Sequence, residues 1–135
     1  MMGATDPEDE EYRYDPDRAP DPEAWLELDE GERIALVEDQ HRAAREGGPN
    51  FTGHARIHTV VENQIAMGIP HVVMTMTRLM REGLDRHDAL HAVGSVVAEL
   101  MFELMTAGAK AVDAAADARY AKALAKLSAA SWRAS

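Results

Sequence analysis

HARIHTVVENQIAMGIPHVVMTMTRLMREGLDRHDALHAVGS, residues 54–95, decides the fold class of this 135-residue chain. Its apolar residues recur every three or four positions, and strand-like alternation is absent. Ile57, Val61 and Ile65 share one helical face. Val72, Val73, Met76, Leu79 and Met80 share another, and Leu90, Val93 and Val97 a third. Gly68-Ile69-Pro70 and Gly83-Leu84-Asp85 punctuate the stretch as helix stops and starts. The spacing predicts helices over 52–67, 70–82 and 86–107.

The same stretch carries two histidine pairs, His54 with His58 and His87 with His91. Residues four apart on a helix lie one turn above each other on one face. Two such pairs on neighbouring helices can aim four imidazoles at one spot. His54 and His58 fall within the apolar face of their helix, and Glu62 follows at its edge. His87 and His91 flank the stripe of theirs. His71 points away from its apolar face and is left outside any site.

Outward to the N-terminus, Asp21-Pro22 reads as an N-cap with proline at the first helical position. A helix is predicted from 23 to 45, with a break near Gly31. It places His41 on an apolar face with Ile34, Val37 and Ala44, and Glu38 on the border. Gly47-Gly48-Pro49-Asn50 is a loop. Outward to the C-terminus, an alanine-rich helix is predicted from Lys110 to Trp132, with Val112, Ala116, Tyr120, Leu124 and Leu127 as a narrow seam. The result is an all-α fold, an antiparallel bundle of four to five helices over residues 21–135. Met67, Met74, Met76, Met80, Met101 and Met105 read as core filling. Trp25 and Trp132 read as anchors of the terminal helices.

Charge is unevenly placed. Residues 1–30 carry 12 of the 24 acidic and 2 of the 14 basic residues, so the formal charge of −10 resides there and the remainder is neutral. Residues 1–20, with Pro7, Pro16 and Pro20, bury too little to offset their ordering entropy. They read as a disordered acidic tail, or as an arm lying over a neighbour through Tyr12 and Tyr14. No basic stripe exists, which argues against nucleic-acid binding. The start lacks the apolar core of a signal peptide, and no apolar run approaches the roughly 20 residues of a membrane span. With no cysteine present, disulfides and thiolate ligands are excluded. The expected setting is cytoplasmic.

Burying several imidazoles is costly unless their nitrogens find partners. A metal ion satisfies one nitrogen of each. The expected ligands are His41, His54, His58, Glu62, His87 and His91, a mono- or dinuclear site. In HxxxHxxxE, successive members step about 40° around the helix, so one ion does not easily take all three. Two ions, one between the histidine pairs and one drawing on Glu62, satisfy them. Nitrogen and carboxylate donors without sulfur suit iron or zinc first, then manganese or nickel. The expected function is that of a metal-binding bundle, with metal-dependent hydrolysis or oxygen chemistry where a coordination position stays open. The alternative is a non-catalytic interaction protein that dimerises through the last helix, its histidines forming a structural polar core.

WLELDEGERIALVEDQHR, HARIHTVVENQIAMG and GLDRHDALHAVGSVVAEL resemble a bacterial family of small helical proteins known only as domain of unknown function 1841. The likeness spans roughly residues 22–105. It implies a cytoplasmic all-α protein and brings no activity. His41, then His58 with Glu62, then His87 with His91 is also similar to the ligand order of hemerythrin-like di-iron bundles. The closing histidine–aspartate element of those proteins is missing and a whole helix intervenes, so that likeness implies a dinuclear site and nothing about oxygen carriage.

Overall fold

In the computed structural model, residues 12–46, 48–107 and 115–134 are described. The described chain is all-helical and its helices pack against one another. It divides into two compact units, Met1–Ile69 and Pro70–Ser135, where the sequence suggested one bundle after a tail.

The first unit contains α1 (Pro22–Glu27), α2 (Glu30–Ala44), a 3₁₀ turn (Gly48–Asn50) and α3 (Phe51–Ala66). α1 and α2 both pack on α3. The helix expected over 23–45 is therefore two helices. The break falls at Leu28-Asp29 instead of Gly31, and its cause is a capping box: the Asp29 carboxylate accepts from the Glu32 amide and the Glu32 carboxylate accepts from the Asp29 amide. Arg33 completes the junction by donating to the Trp25, Leu26 and Leu28 carbonyls at 2.7–2.9 Å. The Trp25 carbonyl also accepts from the Leu28 amide at 3.3 Å, so Arg33 closes over the end of α1, where helical carbonyls run out of amide partners. Beyond α3, Gly68 adopts φ +70° and the Ile69 amide reaches back to the Gln64 carbonyl at 3.0 Å. That is the C-terminal closure its glycine predicted.

Residues 1–11 of the expected tail lie outside the described residues. Residues 12–20 are a strap, not a solvated tail. Tyr14, Pro16 and Pro20 are buried, and Tyr14 joins Trp25, Val37 and Ala55 in one core cluster. The Tyr14 and Trp25 rings lie 5.9 Å apart. An aromatic ring with two stiff prolines buries enough surface, at little entropic cost, to hold an acidic segment down. The arm lies over the first unit itself.

The second unit contains α4 (Pro70–Arg81), α5 (Arg86–Ala107), α6 (Ala115–Ala125) and α7 (Ala129–Ala134). α4 packs on α5, and α6 packs on both. The helix expected over 110–132 lies partly outside the described residues, including Lys110 and Val112. The described part breaks before Ala129. Ser128 caps α7 by accepting from the Ser131 amide at 2.9 Å. α4 holds this break from the side: Arg78 donates to the Leu127 and Leu124 carbonyls at 2.7 and 3.1 Å, and Glu82 accepts from the Ala129 amide at 2.9 Å. The Ala129 hydrogen bond and Arg78 hold the Glu82 carboxyl below its ordinary value of 4.5.

The methionines depart from expectation. Met76 is buried, whereas Met67, Met74, Met80, Met101 and Met105 are exposed. Val72, Leu79, Leu90, Val93 and Val97 take the buried positions, and the exposed methionines stand at helical offsets from them. α5 is also long and apolar enough to cross a membrane by length and composition alone. That departs from the expectation that no run reaches span length. Glu99 and Glu103 are exposed along it.

Candidate metal centre

α2 and α3 bring three of the expected ligands together inside the first unit. His41 comes from the last turn of α2, His54 and His58 from the first two turns of α3. His41 and His58 are 0% and 1% exposed, and His54 is half-buried. The His41 ring meets the His54 ring at 4.9 Å and the His58 ring at 4.6 Å, both edge-on. His54 and His58 lie 4.9 Å apart. One ligand nitrogen from each of the three falls within 4.8 Å of the others. Nitrogens bound tetrahedrally at about 2.0–2.1 Å stand roughly 3.3 Å apart.

One contact assigns a tautomer. His41 Nδ1 lies 2.8 Å from the Val37 carbonyl oxygen. A carbonyl only accepts, so Nδ1 carries the hydrogen, and the lone pair of the neutral ring sits on Nε2. A backbone carbonyl fixing the far nitrogen of an imidazole is the usual support of a metal-bound histidine.

Glu62 is as buried as His58 and lies one turn beyond it on α3. It is outside the group of ligand atoms that meet. Its Oε2 instead accepts the hydroxyl hydrogen of Tyr14, a short contact within the core. One residue further, Asn63 accepts from Trp25 Nε1 at 3.0 Å and donates to Glu30 at 3.2 Å. That ties α1, α2 and α3 below the histidines.

His87 and His91 lie on α5 in the second unit, where their rings meet edge-on at 4.5 Å. His71, set aside by its position on α4, packs edge-on against Tyr120 of α6 at 5.3 Å, with Nε2 3.4 Å from the Asp117 carboxylate.

Sequence reasoning named Tyr14 as an anchor of the arm but missed its bond to Glu62, and it missed the Val37 carbonyl. The available signal was an aromatic pair, Tyr12 and Tyr14, set in an otherwise solvent-seeking acidic segment. A carbonyl has no sequence signature. Chemically, three imidazoles without sulfur hold a borderline divalent ion and leave a further coordination position open. The same rings, packed edge against face, also satisfy the demands of a polar core. Comparison with known proteins returns no matching family model, no similar curated protein and no similar solved structure.

Proposed function

We propose that the first unit binds a divalent metal ion through His41, His54 and His58. The observation that carries this reading is the convergence of three imidazole nitrogens within 4.8 Å from two helices, with the far nitrogen of His41 already bonded to the Val37 carbonyl. Three nitrogen ligands and an open position suit zinc or iron, with manganese and nickel next. An ion so held supplies Lewis acidity, or a bound water that ionises near neutral pH. Metal-assisted hydrolysis and oxygen chemistry are the reaction classes this ligand set serves. His87 and His91 form a second nitrogen pair whose contribution the same measurements read.

The test is elemental analysis of untagged protein purified without added metal, followed by the His58→Ala variant. The expected result is about one equivalent of zinc or iron per chain in the parent. In the variant it is lost, with helical circular dichroism retained. A parent that stays metal-free and refuses added ions sinks the reading. His91→Ala then reports whether the α5 pair takes part.

A second reading has its own observation. Met101, Phe102 and Met105 are 44%, 67% and 83% exposed on α5. Large apolar groups clustered in solvent mark interaction surfaces. In this reading the histidine rings form a structural polar core and the chain works as a homodimer. Sedimentation of parent and Phe102→Glu protein tests it: the expected dimer becomes a monomer, and a parent that sediments as a monomer removes it.

A further inference from the structure

A second polar layer lies one turn along α3 from the three imidazoles. Glu62 follows His58 on the same helical face, and among the described residues it is the only buried carboxylate. The strap reaches it: Tyr14 donates its hydroxyl hydrogen to Glu62 Oε2. Tyr14 is itself 4% exposed and packs in one cluster with Trp25, Val37 and Ala55. Val37 is the residue whose carbonyl orients His41. Ala55 stands between His54 and His58 on α3. The strap thus shares a core cluster with the residue whose carbonyl orients His41.

A divalent ion on three neutral imidazoles brings two positive charges into a largely buried place. Such charge is costly there unless an anion stands near. Building on the metal reading above, we propose that Glu62 is the counter-charge of the bound ion and that Tyr14 is its positioning residue. Tyr14 holds the Glu62 carboxylate by donating its hydroxyl hydrogen to Oε2. The phenol acts on the ion only through Glu62.

The experiment is titration of the full-length, metal-free protein with Co²⁺, whose visible spectrum reports the ligand nitrogens. The parent is compared with Tyr14→Phe, Glu62→Gln, the double variant and His58→Ala. Tyr14→Phe keeps the ring and Glu62→Gln keeps the shape, so both preserve packing. Each single change is expected to weaken Co²⁺ binding 10–100-fold, the usual effect of losing an outer partner of a metal site. The double variant is expected to bind no more weakly than Glu62→Gln alone, because a residue that acts through another adds nothing once that other is gone. The Co²⁺ spectrum is expected to stay that of the parent in all three. Thermal melts of the metal-free proteins separate a purely structural role, which lowers the melting temperature and leaves Kd unmoved. Parent-like Kd in Tyr14→Phe, alongside lost binding in His58→Ala, overturns the role of Tyr14 and leaves the histidine centre standing. Additive losses in the double variant overturn positioning through Glu62. A parent that binds no Co²⁺ overturns the centre itself.

Discussion

Trp25 shows how much one side chain carries in the first unit. It is fully buried, its ring tilted against Tyr14 at 5.9 Å, and bonded through its indole nitrogen to Asn63. Trp25→Ala removes a large apolar body and one of the two hydrogen bonds to the Asn63 oxygen, and its expected cost is about 3–5 kcal/mol. Urea unfolding read by circular dichroism measures it, and a loss below about 1 kcal/mol contradicts this packing. The histidines were legible one by one, because an imidazole on an apolar helical face is conspicuous. The partner of His41 was not, because a carbonyl oxygen belongs to every residue. Glu62 was legible as inward-facing. That its carboxylate answers to a tyrosine 48 positions earlier required the chain to fold back.

At the scale of the element, boundaries follow caps. Gly68 and Gly83, at φ +70° and +110°, end α3 and α4 where glycine was expected to. Gly31 ends nothing, since the Asp29–Glu32 box starts α2 before it. Asp29→Ala is expected to cost about 1 kcal/mol, the worth of an N-cap. Hydrogen exchange should show the loss in the first turn of α2. If exchange there stays unchanged, the box is not what sets the boundary. Glu82 offers a pH prediction. Its carboxyl is lowered from 4.5 by the Ala129 amide and Arg78. It therefore stabilises the α4–α7 junction in full above pH 4.5 and loses that effect as pH falls through its lower folded value. Glu82→Gln should flatten this part of the acid profile of α7. A variant whose acid profile matches the parent's contradicts the assignment.

At the scale of the whole molecule, the all-helical chain divides into two compact units, Met1–Ile69 and Pro70–Ser135. Helical period reports which face of each helix is buried. It is silent on which helices share a core. Trp25 lies in the first unit and Trp132 in the second, so each fluorophore reports one of them. An ion bound by His41, His54 and His58 stabilises the state that binds it. At a hundred times Kd the gain is about 2.7 kcal/mol, or a rise on the order of 10 °C for a chain of this size. The transition followed at Trp25, in a Trp132→Phe background, is expected to rise by that amount when Zn²⁺ is added. An unmoved transition contradicts binding in the first unit.

Local chemistry written along the chain was enough to determine the all-helical class, most helix ends and the inward setting of His41, His54 and His58. Caps, glycine stops and the 3.6-residue period act over a few neighbours and so can be read from neighbours. Contacts between distant residues were decided only in three dimensions. The seating of Tyr14 on Glu62, the methionines turned to solvent and the division into two units all belong there. Each depends on which faces compete for a limited interior, and that competition is settled only when the helices meet.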